Sequence, residues 1–153
     1  MIKPPSLVAD YTLIYSGDPA LKPIEDPVER ERVLEQARET GDWRELLIEG
    51  EAPTTFTIRN LPGSVYDYWC GEVRRGQLVD REAAALLFRL ALTKIDNFGK
   101  LVVEHTKIDG HRAAKISVLD EIYSALGGTG SLVVSEIAGH VLTRSEPALR
   151  PKP

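Results

Sequence analysis

His105, Asp109 and His111 lie within seven residues of one another, and two imidazoles with a carboxylate are ordinary donors to a zinc ion. Asp109-Gly110 is a favoured two-residue hairpin turn, which sets Ile108 opposite His111 and His105 opposite Ala114. Alternation along the strands then puts the two imidazoles on opposite faces of the ribbon, so they cannot share an ion in that register. Cys70 could serve as a nucleophile only with a histidine brought from elsewhere. Within the helical run Tyr68-Trp69-Cys70 it reads as a small buried hydrophobe. Gly127-Gly128-Thr129-Gly130-Ser131 could offer backbone N–H groups to an anion. It lacks the Gly-Lys-Ser/Thr ending of a phosphate loop and follows a predicted helix rather than a strand, so it reads as a flexible connection. Asp120 and Glu121 are neighbours that diverge by about 100° on a helix and cannot grip one substrate. His140 sits in the last predicted helix, where the dipole accounts for it. No catalytic, cofactor-binding or metal-binding residue is assigned.

The elements that would position these residues follow from capping and periodicity. Asp26-Pro27-Val28-Glu29 opens a helix over 29–39, with Val33, Leu34 and Ala37 on one face and Gly41 as its stop. Asp42-Trp43-Arg44-Glu45 caps a short turn holding Leu46 and Leu47. A strand over 54–59 buries Phe56 and Ile58, and a helix over 65–75 follows the Pro62-Gly63 turn. Asp80 caps a central helix over 81–95 with the strongest amphipathic stripe of the chain: Ala84, Leu87, Phe88, Ala91, Leu92 and Ile95. A hairpin pairs 101–105 with 112–116, Ser117 caps a helix over 118–126, and a last helix covers 131–144. The fold class expected is α+β and mostly helical: about five helices with one or two small antiparallel β pieces around the helix near 81–95. Residues 1–26, punctuated by five prolines up to Pro27, form an extended, draped arm with a short strand expected at 11–15; 27–145 are one globular domain; 146–153 are a disordered tail.

Composition narrows the function classes. A chain of 153 residues with 42% hydrophobic and 27% charged residues has enough apolar material for one core. Its net charge of −4 offers no global attraction to phosphate backbones, and Arg74-Arg75 is the only adjacent basic pair, so nucleic-acid binding is not expected. A single cysteine, an N-terminus without a continuous apolar core and an apolar run over 83–92 broken by Arg89 point to a cytoplasmic chain without a membrane span. Tyr66, Tyr68 and Trp69 crowd one short helix, more aromatic surface than its inward face needs, and such anchors recur at interfaces.

Four segments carry a family resemblance: Ser16-Gly17-Asp18-Pro19-Ala20-Leu21, then 52–61 (Ala-Pro-Thr-Thr-Phe-Thr-Ile-Arg-Asn-Leu), then 90–98 (Leu-Ala-Leu-Thr-Lys-Ile-Asp-Asn-Phe), then 136–145 (Glu-Ile-Ala-Gly-His-Val-Leu-Thr-Arg-Ser). Their order and spacing resemble those of small tailed-bacteriophage proteins of the tail assembly chaperone and virion morphogenesis kind, over most of the chain. The spacer at 127–130 and the proline tail have no counterpart. The resemblance implies a non-enzymatic holdase that binds the tape measure or tail tube protein in the host cytoplasm, with a second copy of itself as a further candidate partner. Weak, releasable binding of amphipathic helices demands exposed apolar surface. The residues best placed to supply it are Leu13 and Tyr15 of the arm, Tyr66, Tyr68 and Trp69 of the aromatic helix, and Val133, Ile137 and Val141 of the last helix. The alternatives are a structural component of the capsid, neck or tail clamping neighbouring subunits, a small enzyme uniting His105 or His111 with Asp109 or Cys70, and an inhibitor of a host protein.

Overall fold

In the computed structural model, which describes residues 10–76, 78 and 80–149, Tyr11–Ile14 (β1) is hydrogen-bonded to Thr55–Ile58 (β2). β2 pairs in turn with Leu92–Asp96 (β3), giving a three-stranded antiparallel sheet of order β1-β2-β3. His105–Ile108 (β4) and His111–Ala114 (β5) form a separate hairpin. Five α-helices, α1 (Pro27–Thr40), α2 (Gly63–Gly76), α3 (Asp80–Ala91), α4 (Ile116–Leu126) and α5 (Gly128–Leu149), and a single 3-10 turn over Arg44–Leu46 complete the described chain. The architecture is α+β and mostly helical.

The local signals explain several boundaries. The Asp26 side chain accepts from Val28 N–H, Pro27 takes the first turn, and Gly41 ends α1 at φ 74°, in the left-handed region that glycine enters without a Cβ clash. Asp109 and Gly110 sit at φ 49° and 83°, both positive as a tight hairpin turn requires, and the register pairs His105 with Ala114 and Ile108 with His111.

Other expectations are corrected. The central helix stops at Ala91, and Leu92 and Ile95 belong to β3. Their spacing of three looks helical, because an unbroken strand would turn them to opposite faces. The register with β2 shifts between Thr57 and Ile58, so Thr93 has no partner of its own and both Leu92 and Ile95 reach the core. The short strand expected at 11–15 forms as β1, but as an integral strand of the sheet rather than part of a draped arm, and Leu13 and Ile14 are buried because they pack on this chain itself. Leu7-Val8-Ala9 falls outside the described residues. The glycine spacer is no flexible link: Gly127, at φ 59°, turns the chain and α5 begins at Gly128. α4 starts at Ile116 with Lys115 as its cap residue, since β5 leaves only one residue before it, and Ser117 falls inside the first turn. At the other end α5 extends through Leu149, four residues into the expected tail.

Two apolar clusters hold the chain. The larger joins the sheet to α3, α4 and α5; Phe88 is fully buried and meets Phe56 edge-on at 6.0 Å between ring centroids. Burial of side chains this large stabilises by about 1.5–3 kcal/mol each. The smaller gathers Ile14, Leu21, Leu34, Ala37, Trp43 and Leu46 beneath α1.

Candidate functional site

α4 carries more apolar residues than one buried face can use. Val118, Leu119 and Ile122 enter the core, while Ile116 remains 60% exposed. Beside it a groove of about 480 Å³ opens between α3, α4 and the start of α5. Ala85, Leu119 and Tyr123 line it together with Ile116, and Arg81, Glu82 and Asp120 supply charge around them. Leu132, one residue beyond the groove-lining Ser131, is 62% exposed. The shape depends on Gly130, where a Cβ would stand 3.1 Å from the Ile122 carbonyl oxygen and 3.2 Å from the Tyr123 Cα. A side chain at this position would require the α4 backbone to give by a few tenths of an ångström, so glycine suits the close approach of the first turn of α5 to α4. The apolar lining with a charged surround suits the buried stripe of an amphipathic helix.

The aromatic helix is tied into the fold by its polar atoms. Trp69 Nε1 donates to the Ala83 carbonyl at 2.9 Å, fastening α2 to α3. The Tyr68 hydroxyl donates to Asp109 at 2.8 Å, and its ring lies 4.5 Å from that of His111. Desolvation, with the Asp109 bond second, pushes the Tyr68 phenol up to about 12, so it stays a donor across the physiological range. Tyr66 is half-buried with its ring 6.3 Å from Trp69. Tyr15 is partly buried against the main core.

The expected contact residues therefore divide. Tyr66 and Trp69 meet on one face of α2, Tyr68 leans on the hairpin, and Tyr15 stands apart beyond β1. Leu13, Val133, Ile137 and Val141 are at most 3% exposed and belong to the main core: Leu13 lies on β1, paired with Phe56 of β2, and α5 packs the other three against α3 and α4. They are corrected from surface to core. The groove residues Ile116, Leu119 and Tyr123 were missed, although the apolar excess of 116–126 was a legible signal.

The chemistry-bearing residues are dispersed. His105 lies 3.0 Å from the Leu92 carbonyl and His111 lies against Tyr68 on the other face of the hairpin, while Cys70 is half-buried on α2. Among the described residues no three histidines, cysteines or carboxylates are arranged to hold a metal ion, and no helix is long and apolar enough to cross a membrane. Comparison with protein-family models, curated proteins and solved structures gives no match.

Proposed function

We propose that the chain is a non-enzymatic morphogenesis factor of a tailed bacteriophage, acting as a tail assembly chaperone. Its client is an amphipathic helical segment of the tape measure or tail tube protein, and the place of action is the host cytoplasm. The observation that carries this reading is the groove between α3, α4 and α5, with Ile116 60% exposed at an apolar surface the fold itself leaves uncovered. A client helix laid there buries its apolar stripe on Ile116 and the partly buried Tyr123, over a floor formed by Leu119. The charged residues Arg81, Glu82 and Asp120 remain near water and limit the affinity, as release during tube polymerisation requires. Tyr66 and Trp69 offer a second, smaller apolar contact on α2. The resemblance of the four sequence segments supports the phage assignment, while the groove supports a binding rather than a catalytic role.

The test is a titration of labelled peptides tiling tailed-phage tape measure and tail tube proteins, read by fluorescence anisotropy. Saturable binding of helical peptides is expected, weakened about ten-fold or more by Ile116→Asp, which places a charge in the apolar contact. Binding unchanged in a folded Ile116→Asp protein, or no saturable binding to any peptide, defeats the proposal.

A further inference from the structure

Charge is distributed unevenly in this molecule. Residues 25–51 contain ten carboxylates and four arginines, a net −6 against −4 for the whole chain, which leaves the remainder at +2. All ten carboxylate residues are exposed. Arg32, Arg38 and Arg44 are engaged with Glu29, Glu31 and Asp42, and Arg30 donates to the Ser16 carbonyl. Glu25, Glu35, Glu39, Glu45, Glu49 and Glu51 have no ion pair among the described residues.

The hairpin carries the opposite charge on one face. Lys107 and Arg112 are direct cross-strand partners, both exposed and neither in an ion pair among the described residues. Like charges placed opposite one another on a ribbon are destabilising, so the fold gains nothing from them. His105 lies on the same face. Its Nε2 is 3.0 Å from the Leu92 carbonyl, which can only accept, so Nε2 carries the proton and cannot also accept from Arg112 Nη2 at 3.3 Å. Arg59 adds a further guanidinium by donating to the Arg112 carbonyl at 3.1 Å. Burial, and after it the Arg112 charge, push Arg59 down from its ordinary pKa, with Asp10 acting in the opposite sense.

We infer that this cationic face, Arg59–Lys107–Arg112, docks on the acidic α1 region of a second copy of the same chain. The receptor is a hollow of about 190 Å³ at the C-terminal end of α1, with Val33, Ala37 and Leu46 as apolar lining and Thr40, Asp42 and Glu45 as polar lining. It matches a lysine or arginine side chain, whose aliphatic stem covers apolar surface while its head meets carboxylate. The carbonyls ending α1 favour a cation there as well. Asp42 stays ionised well into acid, because hydrogen bonds from Arg44 hold its carboxyl at about 2. Glu45 is left for the incoming cation. The second copy is the occupant because it supplies both members of the complementary pair.

The two poles lie at opposite edges of the three-stranded sheet. Trp43, from the acidic region, donates to the Thr12 carbonyl on edge strand β1, and His105 meets the Leu92 carbonyl on edge strand β3. A contact between different surfaces on opposite sides is heterologous and propagates head to tail, forming rings or short filaments rather than a closed two-fold dimer. This surface is separate from the groove, so the inference stands or falls apart from the proposed function.

Sedimentation velocity of the full chain tests it at ionic strengths of about 0.01 M and about 1 M, where the Debye length is about 30 Å and about 3 Å. Concentration-dependent association is expected at low salt and its loss at high salt. Lys107→Glu with Arg112→Glu, and separately Glu45→Lys with Glu49→Lys, each weaken association about ten-fold or more. Mixing the two charge-reversed proteins restores it, a result that misfolding cannot mimic. Arg112→Gln, a milder change, gives an intermediate loss. A wild-type chain that stays monomeric at low salt overturns the inference, as does association indifferent to both reversals. A wild-type chain that stays monomeric while a DNA duplex or polyphosphate saturates the hairpin face overturns it in favour of a polyanion site.

Discussion

Phe88 in the main core and Trp43 beneath α1 anchor two regions built on different principles. Phe88, on α3, is enclosed between the sheet and α5, where large apolar side chains interlock and few polar atoms are needed. Trp43 sits in a cluster of six buried apolar residues, and that region is held to the rest by named polar links. Trp43 Nε1 donates to the Thr12 carbonyl at 3.3 Å, Ser16 N–H donates to Glu136 at 2.7 Å, and Arg30 donates to Ser16. The main core makes the structure; the smaller cluster holds an acidic surface against it. A region so polar has little apolar area to bury, so its stability rests on a few directional contacts and it opens more readily than the core.

Substitutions separate the two regimes. Phe88→Ala is expected to cost about 3–5 kcal/mol and to lower the midpoint of urea unfolding for the whole chain. Leu34→Ala should cost about 2–3 kcal/mol, with its main effect local: α1 amides exchange rapidly while α5 keeps its protection. Equal loss of protection in both helices would show that the two clusters unfold as one unit. Trp43→Phe removes the bond to Thr12 and should cost about 1 kcal/mol, again seen first in the exchange of α1 and β1.

The smallest effect is a pH dependence at the junction. His140 on α5 faces Arg38, Glu31 and Glu35 of α1, with Glu136 on its own helix, and its Nε2 is buried with no hydrogen-bond partner among the described residues. Desolvation, and then the Arg38 charge, hold its pKa below the ordinary 6.5, while the three glutamates act in the opposite sense. Below pH 6.5 the unfolded chain therefore binds a proton that the folded chain refuses. Stability contributed here is full above that pH and falls on acidification until the folded pKa is passed. His140→Gln should flatten this slope in denaturation curves between neutral and mildly acid pH, and an unchanged slope would assign it to other groups.

Much of the fold was legible because it is written in local chemistry. Asp26, Pro27 and Gly41 mark both ends of α1, Asp109-Gly110 fixes the hairpin register, and Phe56 and Ile58 declare the buried face of β2. The chain over 92–95 was misread because a bulge changes strand parity, and a bulge forms only against a partner strand. The candidate site was less legible. Gly127–Gly130 looked like a loose spacer because a glycine needed for close packing and one needed for freedom look alike until a neighbour is present.

The sequence by itself determined the helix caps, the hairpin turn, the mostly helical α+β class and the concentration of carboxylates in residues 25–51, all of which depend on residues near one another in the chain. Only the tertiary structure decided that Val133, Ile137 and Val141 are core, that Ile116 borders a groove, and that the acidic and basic faces lie at opposite edges of one sheet. Burial and charge complementarity are relations between segments far apart in sequence. A periodic pattern can say that a residue has an inward face; it takes the packed neighbours to say whether that face meets this chain or is left for another.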